Sequence, residues 1–535
     1  MKKNNNSQFS ILNSQLLIVI PAIKKNAVIP DQLIKKLNGI TLIQRAINTA
    51  KEITNNIFII TDSEEISLIA ERNGIKYHKD AKLKLSSDNI LDITLEVVKD
   101  FGYDNILLYR ANTPLVNSDI LKSAYSDFLE NRESILTSIK NIDRELLSYK
   151  DGSLAKIKEK FVQELKAFYI FKNTLSKYSF RPFLIDEEYS IEIKNYQDWW
   201  VCEKLLQRKR VIFNVIGSLE IGMGHIYHSL ALAHEISDHE IIFVCHEKYE
   251  IAVDKIASMD YKVISTKNVL NSILELKPNL VVNDMLNTDS KYIQSLKKNG
   301  IKVVNFEDLG SGSQYADLVF NELYDEPQLQ GDNYLWGYRY LALRDEFYNA
   351  TPHQFNEEVN SVLITFGGTD QNNLTLLTLQ SILPLCEKRN IKIYIVCGGG
   401  YLFKDELESY LETESYKNIE FTYASGVISQ IMEKTQIAIS SNGRTVYELA
   451  DMNIPSIIIS HHQREATHNF ASLEKGFINL GVIDNNITNK IEKSFLKLIE
   501  DRDYRELLYM NIKRYSFREN KEKVIKKIMS LIENG

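Results

Sequence analysis

A histidine that closes a glycine-rich loop is the first candidate for chemistry in this sequence. Gly217-Ser218-Leu219-Glu220-Ile221-Gly222-Met223-Gly224-His225 runs between an apolar strand pattern and a helical pattern. Gly222 and Gly224 let backbone approach a ligand closely. The first N–H groups of the helix offer a positive dipole end to a phosphate or a developing anion. His225 lies at that helix start and titrates near neutral pH, which suits a general base. The plainer alternative is a tight turn in which His225 caps the helix. Three further loops shift the balance. Gly367, Gly368 and Thr369 follow one strand pattern and Cys397-Gly398-Gly399-Gly400 the next. Ser440-Ser441-Asn442-Gly443-Arg444-Thr445 follows a third, ahead of a helix that carries Tyr447 and Glu448. Parallel α/β folds bind ligands at the carboxyl ends of their strands, where these loops converge. The turn through Ser441, Asn442, Gly443, Arg444 and Thr445 can cradle a diphosphate. Glu448 is placed to accept ribose hydroxyls, against the alternative of a solvated helix residue. His461, His462 and His468 cluster in a later loop without the spacing of a metal motif. They read as loop residues, and neither a metal nor a cofactor is expected.

The elements that must position these groups alternate. Apolar strand patterns at 16–21, 56–62 and 105–110 are interleaved with helical patterns at 38–53 and 64–74. Such alternation predicts parallel sheets covered on both faces. This first unit ends at 190–210 with a short strand and a helix with a basic end. A second begins at 211–217, continues through 240–246, 261–266 and 280–284, and closes at 301–308. A third begins at 361–368, runs through 391–400, 436–443 and 455–460, and ends in charged helices. The expected fold is α/β, three Rossmann-like lobes at 1–208, 211–352 and 358–535, with 351–360 as the last connector. Trp199 and Trp200, adjacent on one helix, suit either an interface or the core.

Composition removes several function classes. The 535 residues carry a net charge of -7, and their 64 Lys and Arg are spread along the chain. A nucleic-acid binder would show a basic stripe. Cys202, Cys245, Cys386 and Cys397 are far apart, which argues against a disulfide framework or a zinc ribbon. The first apolar run is too short for a signal peptide and is followed by Pro21. No run approaches the roughly 18 apolar residues of a membrane span. A cytoplasmic protein without membrane insertion is expected.

Residues 211 to about 480 resemble the UDP-sugar hydrolase of the pseudaminic acid pathway and its spore-coat polysaccharide relatives, a family of GT-B fold. The stretches that carry the resemblance are IGMGHIYHSLALA (221–233), YRYLALRDEFYNA (338–350), LITFGGTDQNNLT (363–375) and ISSNGRTVYELA (439–450). It implies that His225 activates water to attack the anomeric carbon of a UDP-sugar, without a metal. Glu448 would hold the uridine ribose, and Gly367–Thr369 and Ser441–Thr445 would face the nucleotide. Two positions depart. The family usually has Arg three residues after the catalytic His, where this chain has His228. It tends to have Asn where this chain has Tyr447.

Residues 16 to about 206 resemble the CMP-sialic acid synthetase family, through IPAIKKNAVIP (20–30), ITDSEEISLIAERNGI (60–75), LLYRANTPLVNSDI (107–120), AFYIFKNTL (167–175) and YSIEIKNYQDWWVCEKLL (189–206). That family opens with IPARxGSKxIPxKN, whose Arg and Lys bind the triphosphate of CTP. The aligned positions here are Ile23, Ala27, Gln32 and Leu33, with Lys24 and Lys25 nearby. A late acidic DID pattern reads Glu192-Ile193-Lys194, and a Lys would repel Mg²⁺ at close range. The expectation is that this lobe has lost its activity, with CMP or CTP kept as a candidate ligand. The leading function is hydrolysis of a UDP-activated 2,4-diacetamido-2,4,6-trideoxyhexose in nonulosonic acid biosynthesis. The alternatives are a bifunctional hydrolase and CMP-nonulosonate synthetase, a GT-B glycosyltransferase, and a non-catalytic sugar-nucleotide scaffold.

Overall fold

The computed structural model describes residues 15–24, 28–80, 89–142, 146–150, 153–156, 161–174, 179–218, 222–424 and 427–533. The chain forms two compact units, Met1–Arg208 and Lys209–Gly535.

The first unit is built on a seven-stranded sheet with Leu16–Ala22 and Asn105–Tyr109 at its centre. Both strands are fully buried, which explains their unbroken apolar runs. Leu16–Ala22 pairs in parallel with Ile57–Thr61 and with Asn105–Tyr109. The sheet is not wholly parallel, contrary to the expectation from the alternating pattern. Val162–Lys172 runs antiparallel to both its neighbours, Asn105–Tyr109 and Ile135–Asn141. Among the described residues no crossover helix separates Ile135–Asn141 from Val162–Lys172, and a strand that returns without one pairs antiparallel. The short strand expected near 190–194 is also absent. Ile193 is instead buried and held singly: its N–H donates to Asn112 O (2.9 Å) and its O accepts Gln32 Nε2 (2.8 Å). The helix Tyr196–Gln207 then starts on a capping box between Asn195 and Asp198. Trp199 joins the core, while Trp200 is 62% exposed.

The second unit contains two wholly parallel sheets. Taken in chain order, the strands of the first are Arg210–Val215, Glu240–His246, Val263–Thr266, Leu280–Asp284, Lys302–Phe306, Leu318–Asn321 and Tyr334–Trp336. Their spatial order is 3-2-1-4-5-6-7. Two strands therefore follow 301–308, where the sequence pattern had closed the sheet. The other sheet orders Ser361–Thr365, Lys392–Cys397, Ile419–Tyr423, Ile437–Ser441, Ser456–Ser460 and Phe477–Val482 as 3-2-1-4-5-6. Both are doubly wound, with the order reversing between strands 1 and 4, and ligands bind in the crevice at such a switch point. The last helix, Asn520–Glu533, leaves the second of these sheets and returns to the first. Its Val524, Ile528, Met529 and Ile532 pack among Val211, Phe213, Val304 and Phe320. Lys521 on this helix is buried, with ion pairs to Glu235 (2.8 Å) and Asp345. The four cysteines are free and buried. No helix among the described residues is long and apolar enough to cross a membrane.

Candidate active site

The switch points bring the loops picked out from the sequence together. In the sheet that begins at Arg210–Val215, strand 1 feeds the glycine loop and strand 4 ends at Asp284, with Val215 and Asp284 paired in register. In the other sheet, strand 1 feeds Gly367–Thr369 and strand 4 feeds Ser441–Thr445, with Thr365 opposite Ser440. The two glycine loops meet: a Cβ on Gly368 would lie 3.5 Å from Met223 N. Gly398 is required behind them, because a Cβ there would sit 2.5 Å from Gly368 Cα. Leu219, Glu220 and Ile221, and likewise Lys25 and Ala27 of the first unit, lie outside the described residues.

His225 begins the helix Gly224–Glu235 but does not cap it. Its Nδ1 lies 2.8 Å from Asp284 Oδ1. With a carboxylate as acceptor, Nδ1 carries the proton and Nε2 keeps the lone pair. Asp284 is fully buried and also accepts from His228 Nδ1 (2.5 Å) and Ser229 Oγ (2.9 Å). Burial alone would pull the His225 imidazole down. The hydrogen bond and charge of Asp284, helped by Glu307, outweigh that and raise its pKa. Burial opposes ionisation of Asp284, yet the two imidazoles hold its pKa well below the usual carboxylate range.

Across from His225 stands a charged cluster that the sequence reading did not find. Arg444 Nη2 reaches Glu307 Oε1 (2.7 Å) and Glu322 Oε1 (2.8 Å), which follow strands 5 and 6 of the neighbouring sheet. Glu307 holds a left-handed backbone, φ 51°, a conformation that costs about 1–3 kcal/mol in a non-glycine residue and recurs at functional sites. Burial raises the Glu307 carboxyl, but Arg444 brings it below its ordinary value. Glu322 is raised, because burial outweighs its share of Arg444. Arg444 thus ties the two lobes, and its Nη1 lies 3.5 Å from the position of a Cβ on Gly224.

Glu448 is not a solvated helix residue. It is 7% exposed, and its Oε1 accepts Arg344 Nε at 2.7 Å. Tyr447 is buried behind the loop, its ring tilted against Phe470 with centroids 4.6 Å apart. Asn442 spends its side chain on the later histidine loop, donating to Glu465 O (2.9 Å) and His468 O (3.0 Å). His468 returns a bond from Nδ1 to Asn442 O (2.9 Å). His461 N–H donates to Glu465 Oε2 (2.6 Å), and burial pushes that carboxyl up to about 7. Ser441 is buried beside Gly367, while Gly443, Arg444 and Thr445 remain partly exposed. Asp284, Glu307, Glu322, Arg344 and Glu465 had no sequence assignment. The available signal for the first three was an acidic residue closing an otherwise apolar strand run (LVVND, VVNFE, LVFNE).

In the first unit, the charges near the expected nucleotide site neutralise one another. Lys24 Nζ pairs with Glu65 (2.8 Å) and Asp31 (3.6 Å). Glu192 pairs with Arg110 (2.8 Å) and Lys194 (3.0 Å). Burial pushes the Glu192 carboxyl up, and Arg110 and Lys194 bring it net down. Gln32 and Leu33, at two of the aligned family positions, are buried.

Residues 17–208 match the Cytidylyltransferase family and residues 361–528 the Glycosyltransferase family 28 C-terminal domain. The chain joins a domain of each kind, in line with the resemblances read from the sequence. An uncharacterised protein of Methanocaldococcus jannaschii is 30% identical over 273 residues, covering 46% of this chain and 54% of that protein. The UDP-2,4-diacetamido-2,4,6-trideoxy-beta-L-altropyranose hydrolase of Campylobacter jejuni is 28% identical, covering 33% of this chain and 66% of that enzyme. The pseudaminic acid cytidylyltransferase and UDP-2,4-diacetamido-2,4,6-trideoxy-beta-L-altropyranose hydrolase of Helicobacter pylori is 26% identical, covering 40% of each chain. The chain therefore spans less than two thirds of the length of each of these relatives.

Proposed function

We propose that residues 209–535 hydrolyse a UDP-activated 2,4-diacetamido-2,4,6-trideoxyhexose to the free sugar and UDP in nonulosonic acid biosynthesis, and that the first unit does not turn over CTP. The observation that carries the first part is the buried Asp284 carboxylate on His225 Nδ1 (2.8 Å), which leaves Nε2 as the basic nitrogen at the switch point. Nε2 takes a proton from water as the water oxygen bonds to the anomeric carbon. The bond from that carbon to the diphosphate oxygen breaks, and its electron pair leaves with UDP. Asp284 stabilises the imidazolium that forms. Gly222 and Gly224 admit the sugar closely, Gly367, Gly368, Thr369 and the Ser441–Thr445 turn hold the nucleotide, and Glu448 takes the ribose hydroxyls. The second part rests on the ion pairs of Lys24 and Glu192, which occupy the groups a triphosphate and a divalent ion would need.

The test is His225→Ala. Removing a general base costs about 10²–10⁴-fold in rate, so turnover is lost while UDP affinity by calorimetry stays near wild type. Near-wild-type turnover would remove His225 as the base.

A further inference from the structure

The reaction above uses His225 and leaves the Glu307 carboxylate without a task. Phe306 pairs in register with Asp284, so Glu307 stands one residue past the strand neighbour of the carboxylate that holds His225. Its side chain keeps 7% exposure, close to the 8% of His225, whereas Asp284 and Glu322 keep none. Among these strand-end groups, only Glu307 reaches the surface as His225 does. Arg444 answers the two glutamates differently. Its Nη2 donates a hydrogen bond to Glu322 Oε1 (2.8 Å). It also lies 2.7 Å from Glu307 Oε1, yet that oxygen accepts no hydrogen bond among the described residues. The charge of Glu307 is matched there and its hydrogen-bonding capacity is not. Burial works against that charge, and Arg444 and His225 hold the carboxyl below its ordinary value. An ionised carboxylate can only accept hydrogen bonds. Arg444 Nε, a donor, is likewise buried without a partner among the described residues. Open polar groups of this kind are rare in interiors and call for a ligand or a water. An open acceptor and an open donor on neighbouring side chains match the two ends of an amide.

We propose that Glu307 is a specificity-determining residue: it accepts the N–H of the sugar's 2-acetamido group, with Arg444 beside it for the amide oxygen. The inference deepens the proposed function and rests on its sugar, which carries an acetamido group on the carbon next to the one that water attacks. Of the donors on that sugar, this N–H is bonded closest to the reacting carbon, and Glu307 is the reachable acceptor closest in the sheet to the partner of His225. A site built to pair with an amide rejects a sugar that lacks it, because its buried polar groups are then left open.

Calorimetry on the full chain uses two analogues of the UDP-sugar in which a methylene group replaces the anomeric oxygen, so that binding is read whether or not the chain hydrolyses the substrate. One carries the 2,4-diacetamido sugar, and the other has hydrogen in place of the 2-acetamido group. Glu307→Met removes the acceptor at similar length. Losing a hydrogen bond to a charged group makes this variant bind the first analogue about ten-fold or more weakly, while the second analogue and UDP bind as they do to the unaltered chain. An equal loss for both analogues, or a loss for neither, overturns the proposal and leaves the hydrolysis standing, since release of free sugar from the UDP-sugar itself reports that separately. The selective loss in a chain that releases no sugar upholds Glu307 and discards the hydrolysis. An unaltered chain that binds UDP and gains nothing from the diacetamido sugar refutes the sugar reading and this inference together. Should Glu307→Met fail to fold, Glu307→Gln keeps the shape, drops the charge and shows the same selective loss to a smaller degree.

Discussion

At the scale of single residues, the account depends on how buried charges are matched. The proposed base role of His225 rests on Asp284 fixing its tautomer, and Asp284 is tolerable in the interior only because three donors satisfy it. Glu448 is matched differently. Arg344 takes one of its oxygens, which orients the carboxylate; in the proposed function the other oxygen accepts a ribose hydroxyl. Glu448→Ala therefore weakens UDP binding by roughly 1–3 kcal/mol, the loss of a charged acceptor, and unpairs Arg344. Calorimetry returning unchanged UDP affinity takes Glu448 out of the site. His225, Glu448 and the glycines were legible in the sequence, because short spacing between a glycine turn and a helix start carries local meaning. Their partners were not. Asp284, Glu307 and Glu322 lie 59, 82 and 97 residues beyond His225 by number, and only the parallel sheet makes them its neighbours. Arg444 looked like a phosphate contact in its loop. Its guanidinium also holds two carboxylates from the neighbouring lobe, a role that no local pattern encodes.

At the scale of elements, the loops work because other loops hold them. Asn442 is braced by 465–468, and Glu465 sits against His461 N–H with its carboxyl pushed up to about 7 by burial. A carboxyl with a raised folded-state pKa binds its proton more tightly folded than unfolded. Its contribution is present at low pH and is lost as pH rises from the ordinary Glu value near about 4.3 through about 7. Glu465→Gln keeps the acceptor for His461 N–H and removes the titration. Its Tm rises by roughly 2 °C or more at pH 8, and the decline in stability between pH about 5 and about 7 flattens. A pH–stability curve unchanged from wild type shows that Glu465 is ionised in the folded loop. Most strands were legible because buried parallel strands are unbroken apolar runs. The misses have physical causes. Leu318–Asn321 and Tyr334–Trp336 are short, with polar flanks. Val162–Lys172 begins exposed and becomes buried midway, so it shows neither clean alternation nor a full apolar run.

At the scale of the molecule, the two units carry opposite charge logic. The second keeps an imidazole free where its loops converge. The first closes its candidate groups into the Lys24–Glu65 and Arg110–Glu192–Lys194 pairs. Recruiting them for a triphosphate and a divalent ion would mean exchanging these existing partners, a small cost at the partly exposed Lys24 and the exposed Lys194. The full chain with CTP, Mg²⁺ and a nonulosonic acid accordingly releases no pyrophosphate above background, and steady release would restore the bifunctional reading. The return of Asn520–Glu533 to the Arg210–Val215 sheet was invisible in the sequence, since amphipathic periodicity says that a helix packs and not on which sheet. The proposed hydrolysis lies in the second unit. Its most direct test is proton NMR of the full-length chain with UDP-2,4-diacetamido-2,4,6-trideoxyaltrose, in EDTA and without an acceptor. Free sugar and UDP are expected to accumulate together, and neither with His225→Ala. An intact substrate in the presence of protein that still binds UDP would contradict it.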